Sequence, residues 1–279
     1  MAVYALAFMA FAIDLARRSA TVERELEYRT SASLRVGVSL TALAALLHFA
    51  AAMLRGFAAH RVPWANMYEF AMTGTLLIVS VFLVVIWVSK VDLRFLGTFI
   101  TGLVLLFLGV ASVNFYVAVV PLPPALQSAW LVIHVFVATS ATGFFALGFA
   151  LSVLQLLQSR RETAGTGPRF LATLPDAERL ENFAYRINIV GFILWTFTLM
   201  AGAIWAERAW GRYWGWDTKE VWTFIIWTLF AGYIHARATR GWRGTRASWL
   251  AIVGFSAVIF NFTVVNLFFK GLHAYSGLS

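Results

Sequence analysis

Residues 95–113 read FLGTFITGLVLLFLGVASV, without one charged side chain. A helix drawn through them is apolar on every face, and a run of about 18 or more such residues is what crosses a hydrocarbon core about 30 Å thick. A strand of a transmembrane barrel would instead alternate in hydrophobicity over about 10 residues. In lipid, unpaired backbone N–H and C=O groups are costly, which leaves the helix as the form a single such segment takes. The rest of the chain repeats the pattern: apolar residues make up 61% and charged residues 13%. Spans are predicted at 1–16, 34–54, 67–88, 95–113, 131–157, 185–206, 219–236 and 247–269, each end good to a few residues. The expected fold is all-α, a polytopic membrane helix bundle of about eight transmembrane helices.

Charge orients it. Connections 17–35, 89–94, 158–186 and 237–246 hold 16 of the 22 Lys and Arg, and the opposite side holds Arg55, Arg61, Arg208, Arg212, Lys219 and Lys270. By the positive-inside rule the first set is cytoplasmic, and the N- and C-termini are outside. The first span is short and contains Asp14, and Arg17 and Arg18 follow its apolar run instead of leading it. It reads as a retained helix and not as a cleaved signal. The whole chain, 1–279, reads as a single integral-membrane domain, with residues 1–60 its less diagnostic N-terminal helices. Residues 158–184, carrying Gly165, Gly167, Pro168 and Pro175, form the longest cytoplasmic connection, with a short amphipathic helix at 177–184.

Composition also excludes. The net charge of +9 is scattered over short loops, with no basic tract or recognisable module for nucleic acid. Without cysteine the chain makes no disulfide, performs no thiol exchange and holds no haem through thioethers. Neither a Walker motif nor a Gly-x-Gly-x-x-Gly fingerprint is present.

The external loop 207–218 is the least ordinary stretch. From Trp210 the sequence runs WGRYWGWDTKE to Glu220, and six of the 12 tryptophans fall between Trp205 and Trp227. Isolated tryptophans such as Trp64, Trp87, Trp130 and Trp249 fit an interfacial aromatic belt. A cluster in one loop instead offers a flat surface for a large planar ligand, with Trp210, Trp214 and Trp216 as stacking groups. Asp217 and Glu220 have capping-box spacing at the start of the seventh span, and Asn66 and Glu69 repeat it at the third. Asp217, inside the tryptophan cluster, is also a candidate for acid chemistry.

Five histidines differ in depth. His134, near the outer end of span five, and His273, just past span eight, flank the loop, the placement expected of two axial imidazoles on one haem iron. His235 lies about 24 Å from Lys219 at a rise of about 1.5 Å per residue, too far to share that iron. An imidazole so placed is either a second functional site or a residue snorkelling at the helix end beside Arg237. His48 and His60 have no aromatic context.

These residues together resemble a known family. Trp210-Gly-x-Tyr-Trp-Gly-Trp-Asp-x-Lys-Glu220 resembles the tryptophan-rich WWD signature of the haem-handling proteins of cytochrome c maturation. Pro63-Trp-Ala-Asn-Met-Tyr-Glu69, the His134 helix, Tyr-Ile-His235-Ala-Arg237, Gly241-Trp-Arg-Gly244 and Gly271-Leu-His273-Ala-Tyr275 fall in the order and spacing of the CcsA (ResC) family, the membrane haem subunit of the system II cytochrome c synthase. The visible departure is Thr218, where the family usually has proline, a favourable but dispensable residue at the first helical position.

The resemblance implies that haem b is a transported substrate held on the outer face by His134 and His273. It implies a second, transmembrane haem site at His235, with the other imidazole from a CcsB (ResB) subunit. The product would be thioether bonds to the Cys-x-x-Cys-His segment of apocytochrome c, whose thiols a thioredoxin-like protein keeps reduced. The setting would be the bacterial cytoplasmic membrane, with the active face periplasmic. Three other readings compete: a system I relative handing haem to a carrier protein, a membrane cytochrome b, and a transporter, whose site would lie near the midplane on broken helices.

Overall fold

The computed structural model describes residues 1–21, 31–89, 91–119, 127–269 and 271–272. Among these residues the chain is helical, with no strand. Its principal helices are α1 (Ala2–Thr21), α2 (Ala32–Ala59), α3 (Met67–Val88), α4 (Gly97–Asn114), α5 (Ala129–Ala164), α6 (Ala177–Trp210), α7 (Thr218–Arg240) and α8 (Thr245–Phe260). A π-helical stretch, Asn261–Val265, and a last turn, Asn266–Phe268, continue α8.

The boundaries follow capping chemistry. Ser31, Asn66, Ser128, Asp176 and Asp217 each accept a backbone N–H of the first turn that follows, satisfying donors that a helix start leaves unpaired. Gly165, Gly211 and Gly241 end α5, α6 and α7 in the left-handed conformation, which glycine adopts without a Cβ penalty. One expectation changes. The amphipathic helix at 177–184 is not separate: Asp176 caps a continuous 34-residue α6, because Leu180, Ala184, Ile187 and Gly191 carry one buried stripe across the expected break. The irregular connection shrinks to 165–176, around a short 3₁₀ turn at Arg169–Thr173 that sinks Leu171 into the core.

Helix α5 is central, packed against α3, α6 and α8, while α1, α2 and α4 form a flanking group and α7 lies against α6 and α8. Phe145 of α5 stacks on Phe230 of α7 with ring centroids 3.7 Å apart. In lipid, helix association depends on close packing and interhelical polar contacts more than on water exclusion. Small residues therefore matter: the α5 backbone at Gly148 lies so close to Asn188 of α6 that no side chain would fit between them.

Among the described residues six helices are long and apolar enough to cross a membrane: α2, α3, α4, α5, α6 and α8 with its extension. The chain is a multi-pass helical membrane protein. Helices α1 and α7 have spanning length, 20 and 23 residues, but are less apolar: α1 carries Asp14, Arg17 and Arg18, and α7 carries Lys219, Glu220, Arg237 and Arg240. Asp14 is buried, accepting hydrogen bonds from the Ser31 and Ser33 hydroxyls. Leu46, Leu54, Phe57, Trp87 and Val113 stand exposed on the bundle's sides.

Each end of the bundle has a buried ionic clamp. At the end carrying the tryptophan loop, Glu69 is 0% exposed and accepts from Arg55 Nε at 3.0 Å, Arg61 Nη1 at 2.6 Å and the Ala65 N–H at 2.9 Å. Arg55 reaches on to the Val117 carbonyl, so residues 61–66 and 115–119 are tied together. At the far end Glu181 accepts from Arg237 Nε at 2.5 Å, and the guanidinium lies over the Tyr185 ring at 3.8 Å.

Candidate functional site

The loop is short because both its borders are fixed. Helix α6 stops at Gly211 and α7 starts with the capping box of Asp217 and Glu220, so only residues 211–217 are irregular. Both acids shape the backbone. Glu220 Oε2 accepts from the N–H groups of Gly215 and Asp217 at 2.8 and 3.0 Å. Asp217 Oδ1 accepts from Lys219 N–H at 3.0 Å and Oδ2 from Leu272 N–H at 2.7 Å. Asp217 thereby binds the tryptophan loop to the segment leading into His273. At the third helix the repeated motif behaves differently: Asn66 caps, but Glu69 turns to Ala65 and the two arginines.

The tryptophans divide. Trp210 meets Trp205 edge to face at 4.8 Å, and Trp205 lies nearly parallel to the His134 ring, centroids 5.8 Å apart. Trp205, Leu131 and Val135 form an apolar cluster separate from the main core, with Trp64, Trp130 and Trp210 packed against it. Trp214 packs edge-on against Trp216 and Phe224, on the outside of α7. Trp216 is 77% exposed, with φ of 59°. Trp210 thus belongs to the surroundings of His134, whereas Trp214 and Trp216 face outward.

His134 is held in one orientation. Its Nδ1 lies 3.0 Å from the Thr198 carbonyl oxygen. A carbonyl only accepts, so Nδ1 donates to it, the kind of outer hydrogen bond that orients metal-binding imidazoles. Space for the ring comes from Gly202, where an added Cβ would lie 2.8 Å from His134 Cε1. The ring borders two cavities, with about 950 and 570 Å³ of empty space including their mouths. Phe70, His134, Val135, Lys219, Phe262 and Asn266 line both. Such a pocket, apolar with one oriented imidazole, suits a large flat metal complex.

The other histidines sit apart. His235 is exposed on the side of α7, toward its far end. His48 is buried on α2, within 3.3 Å of the Tyr4 hydroxyl, and borders a different cavity. His60 ends α2 in the left-handed conformation. His273 lies outside the described residues. Sequence reading overlooked Thr198, Gly202 and the Asn261–Val265 π-turn, which supplies Asn261 and Phe262 to the larger cavity. The only trace of that turn was two asparagines in an otherwise apolar span.

The sequence model of the cytochrome C assembly protein family matches residues 64–273, from Trp64 of the aromatic cluster to His273. The chain belongs to this family. It is 34% identical over 263 residues to the cytochrome c biogenesis protein CcsA of Synechococcus sp. (strain CC9902), covering 85% of each chain. With CcsA of Porphyra purpurea the identity is 34% over 265 residues, 81% of this chain and 82% of the relative. With CcsA of Trieres chinensis it is 32% over 275 residues, 88% of each. This places the chain in the CcsA branch of cytochrome c biogenesis, a family that handles haem.

Proposed function

We propose that this chain is the haem-handling subunit of a system II cytochrome c synthase, binding haem b as its substrate and presenting it for covalent attachment. The observation that carries the reading is the His134 imidazole, oriented by the Thr198 carbonyl and by the space at Gly202, beside Trp205 and bordering an apolar pocket. His273 supplies the second axial ligand. Asp217 supports that assignment by binding the N–H of the residue just before it.

In the reaction each thiol of a Cys-x-x-Cys-His segment adds across one haem vinyl. A carbon–sulfur bond forms as the vinyl π bond is lost, and the thiol proton ends on the vinyl group. No electrons are exchanged, so iron enters and leaves ferrous. The chain's share is proximity and orientation: the imidazoles hold iron, Trp210 packs beside them, and Trp214 and Trp216 guide the vinyl edge and the incoming segment. The substrate histidine then displaces one axial imidazole. Asp217 serves as the loop's anchor and as the candidate acid. All eight helices span, with both termini and the tryptophan loop on the periplasmic face of the bacterial cytoplasmic membrane. His235, exposed on α7, forms a transmembrane haem site with an imidazole from a CcsB-type subunit. A thioredoxin-like protein supplies reduced apocytochrome thiols.

The test is covalent attachment in cells lacking their own maturation proteins but given this chain, a CcsB-type subunit and an apocytochrome with a Cys-x-x-Cys-His segment. Haem staining that survives denaturation supports the reading. Its absence, with both membrane subunits present and haem supplied, overturns it.

A further inference from the structure

The wall of the His134 cavity carries a cation for which the site so far has no use. Lys219, the second residue of α7, lines both cavities beside His134. The first turn of a helix is the wrong place for an ammonium, because the N-terminal end of the helix dipole is itself positive. An apolar pocket adds a desolvation cost. Local pairing does not account for it: among the described residues no carboxylate lies within salt-bridge distance of Lys219 Nζ. Asp217, the acid that acts on it electrostatically, gives Oδ1 and Oδ2 to the N–H groups of Lys219 and Leu272. Lys219 Nζ donates to Asn266 Oδ1. An ammonium has three donors, and Asn266 takes one of them.

The neighbouring wall is polar as well. Asn261 is 5% exposed, and its Oδ1 has no hydrogen-bond partner among the described residues. The amide's other end makes only a long contact, 3.5 Å, to Thr223 Oγ1. A buried amide oxygen left without a donor is costly, and this one keeps the wall polar. It borders the same cavity as Lys219 and Asn266. The rest of that wall, Phe70, Val135, Val258 and Phe262, is apolar. The cavity therefore combines an imidazole, an apolar lining and one polar, positively charged wall.

A haem carries the complementary features: iron at the centre, an apolar macrocycle, two propionates along one edge and vinyl groups away from them. We propose that Lys219, positioned by Asn266, is the carboxylate-recognition group of this cavity and takes a propionate of the haem whose iron is held at His134. The proposal rests on the haem reading above and adds an orientation to it. With the propionate edge anchored on Lys219 of α7, rotation of the macrocycle about the iron axis is fixed, and so is the direction in which the vinyl groups face. Lys219 is then a positioning residue for the thioether reaction.

Titrating the full chain, purified with its companion subunit, with haem and with haem dimethyl ester tests this, following the Soret band. The ester keeps the iron and the macrocycle but lacks the carboxylates. The unaltered protein is expected to bind the free acid about tenfold more tightly than the ester, the order of effect of one charge-assisted hydrogen bond. Lys219→Arg should keep the preference. Lys219→Met should abolish it while leaving the low-spin band in place, because His134 still holds iron. A lysine that only ties α7 to Asn266 would not distinguish acid from ester. Equal affinity for the two ligands in the unaltered protein, or a preference that survives Lys219→Met, overturns the proposal and leaves haem binding at His134 standing. If Lys219→Met does not fold, the ester comparison on the unaltered protein decides. Failure of the unaltered protein to bind either porphyrin overturns the haem reading itself.

Discussion

His134 and His235 stand toward opposite ends of one bundle, and their surroundings have little in common. Around His134 the chain supplies a carbonyl that fixes the tautomer, a glycine that makes room for the ring, a parallel indole and a pocket. His235 stands exposed on α7. The first site is built by this chain, whereas the second needs a surface from elsewhere. The ionic clamps differ in the same direction. Glu69 holds two arginines and the Ala65 N–H, while Glu181 holds one arginine, which Asn182 and the Tyr185 ring also hold.

The sharpest way to break this contrast is to remove the partner. The chain alone should bind haem at one site, and His235→Ala should change neither haem content nor spectrum. With the CcsB-type subunit present, a second haem is expected, and His235→Ala should remove it. Haem quantification by pyridine haemochrome on both preparations decides, and a second haem in the isolated chain would erase the distinction.

Next in size is Glu69→Ala, which strands two guanidinium groups and is expected to cost about 3–5 kcal/mol. Glu181→Ala should cost less, because Arg237 keeps Asn182 and the Tyr185 ring. Denaturant unfolding in detergent compares the two, and equal losses would mean that the loop end is no more tightly constructed than the far end.

Smaller again is Gly202→Ala, whose Cβ would press on the His134 ring. Displacing an oriented ligand typically lowers metal affinity about 10–100-fold, readable as a weakened Soret titration with helix content intact. At the bottom of the scale, Trp216→Gly should stabilise the fold by about 1 kcal/mol, since a non-glycine residue in the left-handed region carries that order of strain. Haem affinity should stay within about twofold, because the indole faces outward. A large loss of haem would return Trp216 to the binding surface.

Much of this architecture was legible in the sequence. The span at 67–88 coincides with α3 (Met67–Val88), because Asn66 caps one end and hydropathy falls away at the other. The capping box at Asp217 and Glu220 is present as its spacing implied, whereas Trp64 and Trp130, read as belt residues, pack with Trp210 on the cluster around Trp205. What stayed hidden was set by three-dimensional proximity. The Thr198 carbonyl belongs to the backbone and leaves no mark on residue identity. Gly202 matters only through a ring on another helix. The division of the tryptophans follows from the direction in which a seven-residue loop turns, and the π-turn has no period of its own to detect. Helix α6 came out longer than expected because a cap at Asp176 and one continuous buried stripe outweighed the polar residues between them.

The most direct measurement is the absorption spectrum of the chain, purified with its companion subunit, before and after His134→Ala. The unaltered protein should show a six-coordinate, low-spin haem. His134→Ala should lose that spectrum, and added imidazole, entering the space vacated by the side chain, should restore it. An unchanged low-spin spectrum in His134→Ala would contradict the account, because the histidine beside the Trp205–Trp210 cluster and its cavity would then have no part in holding haem.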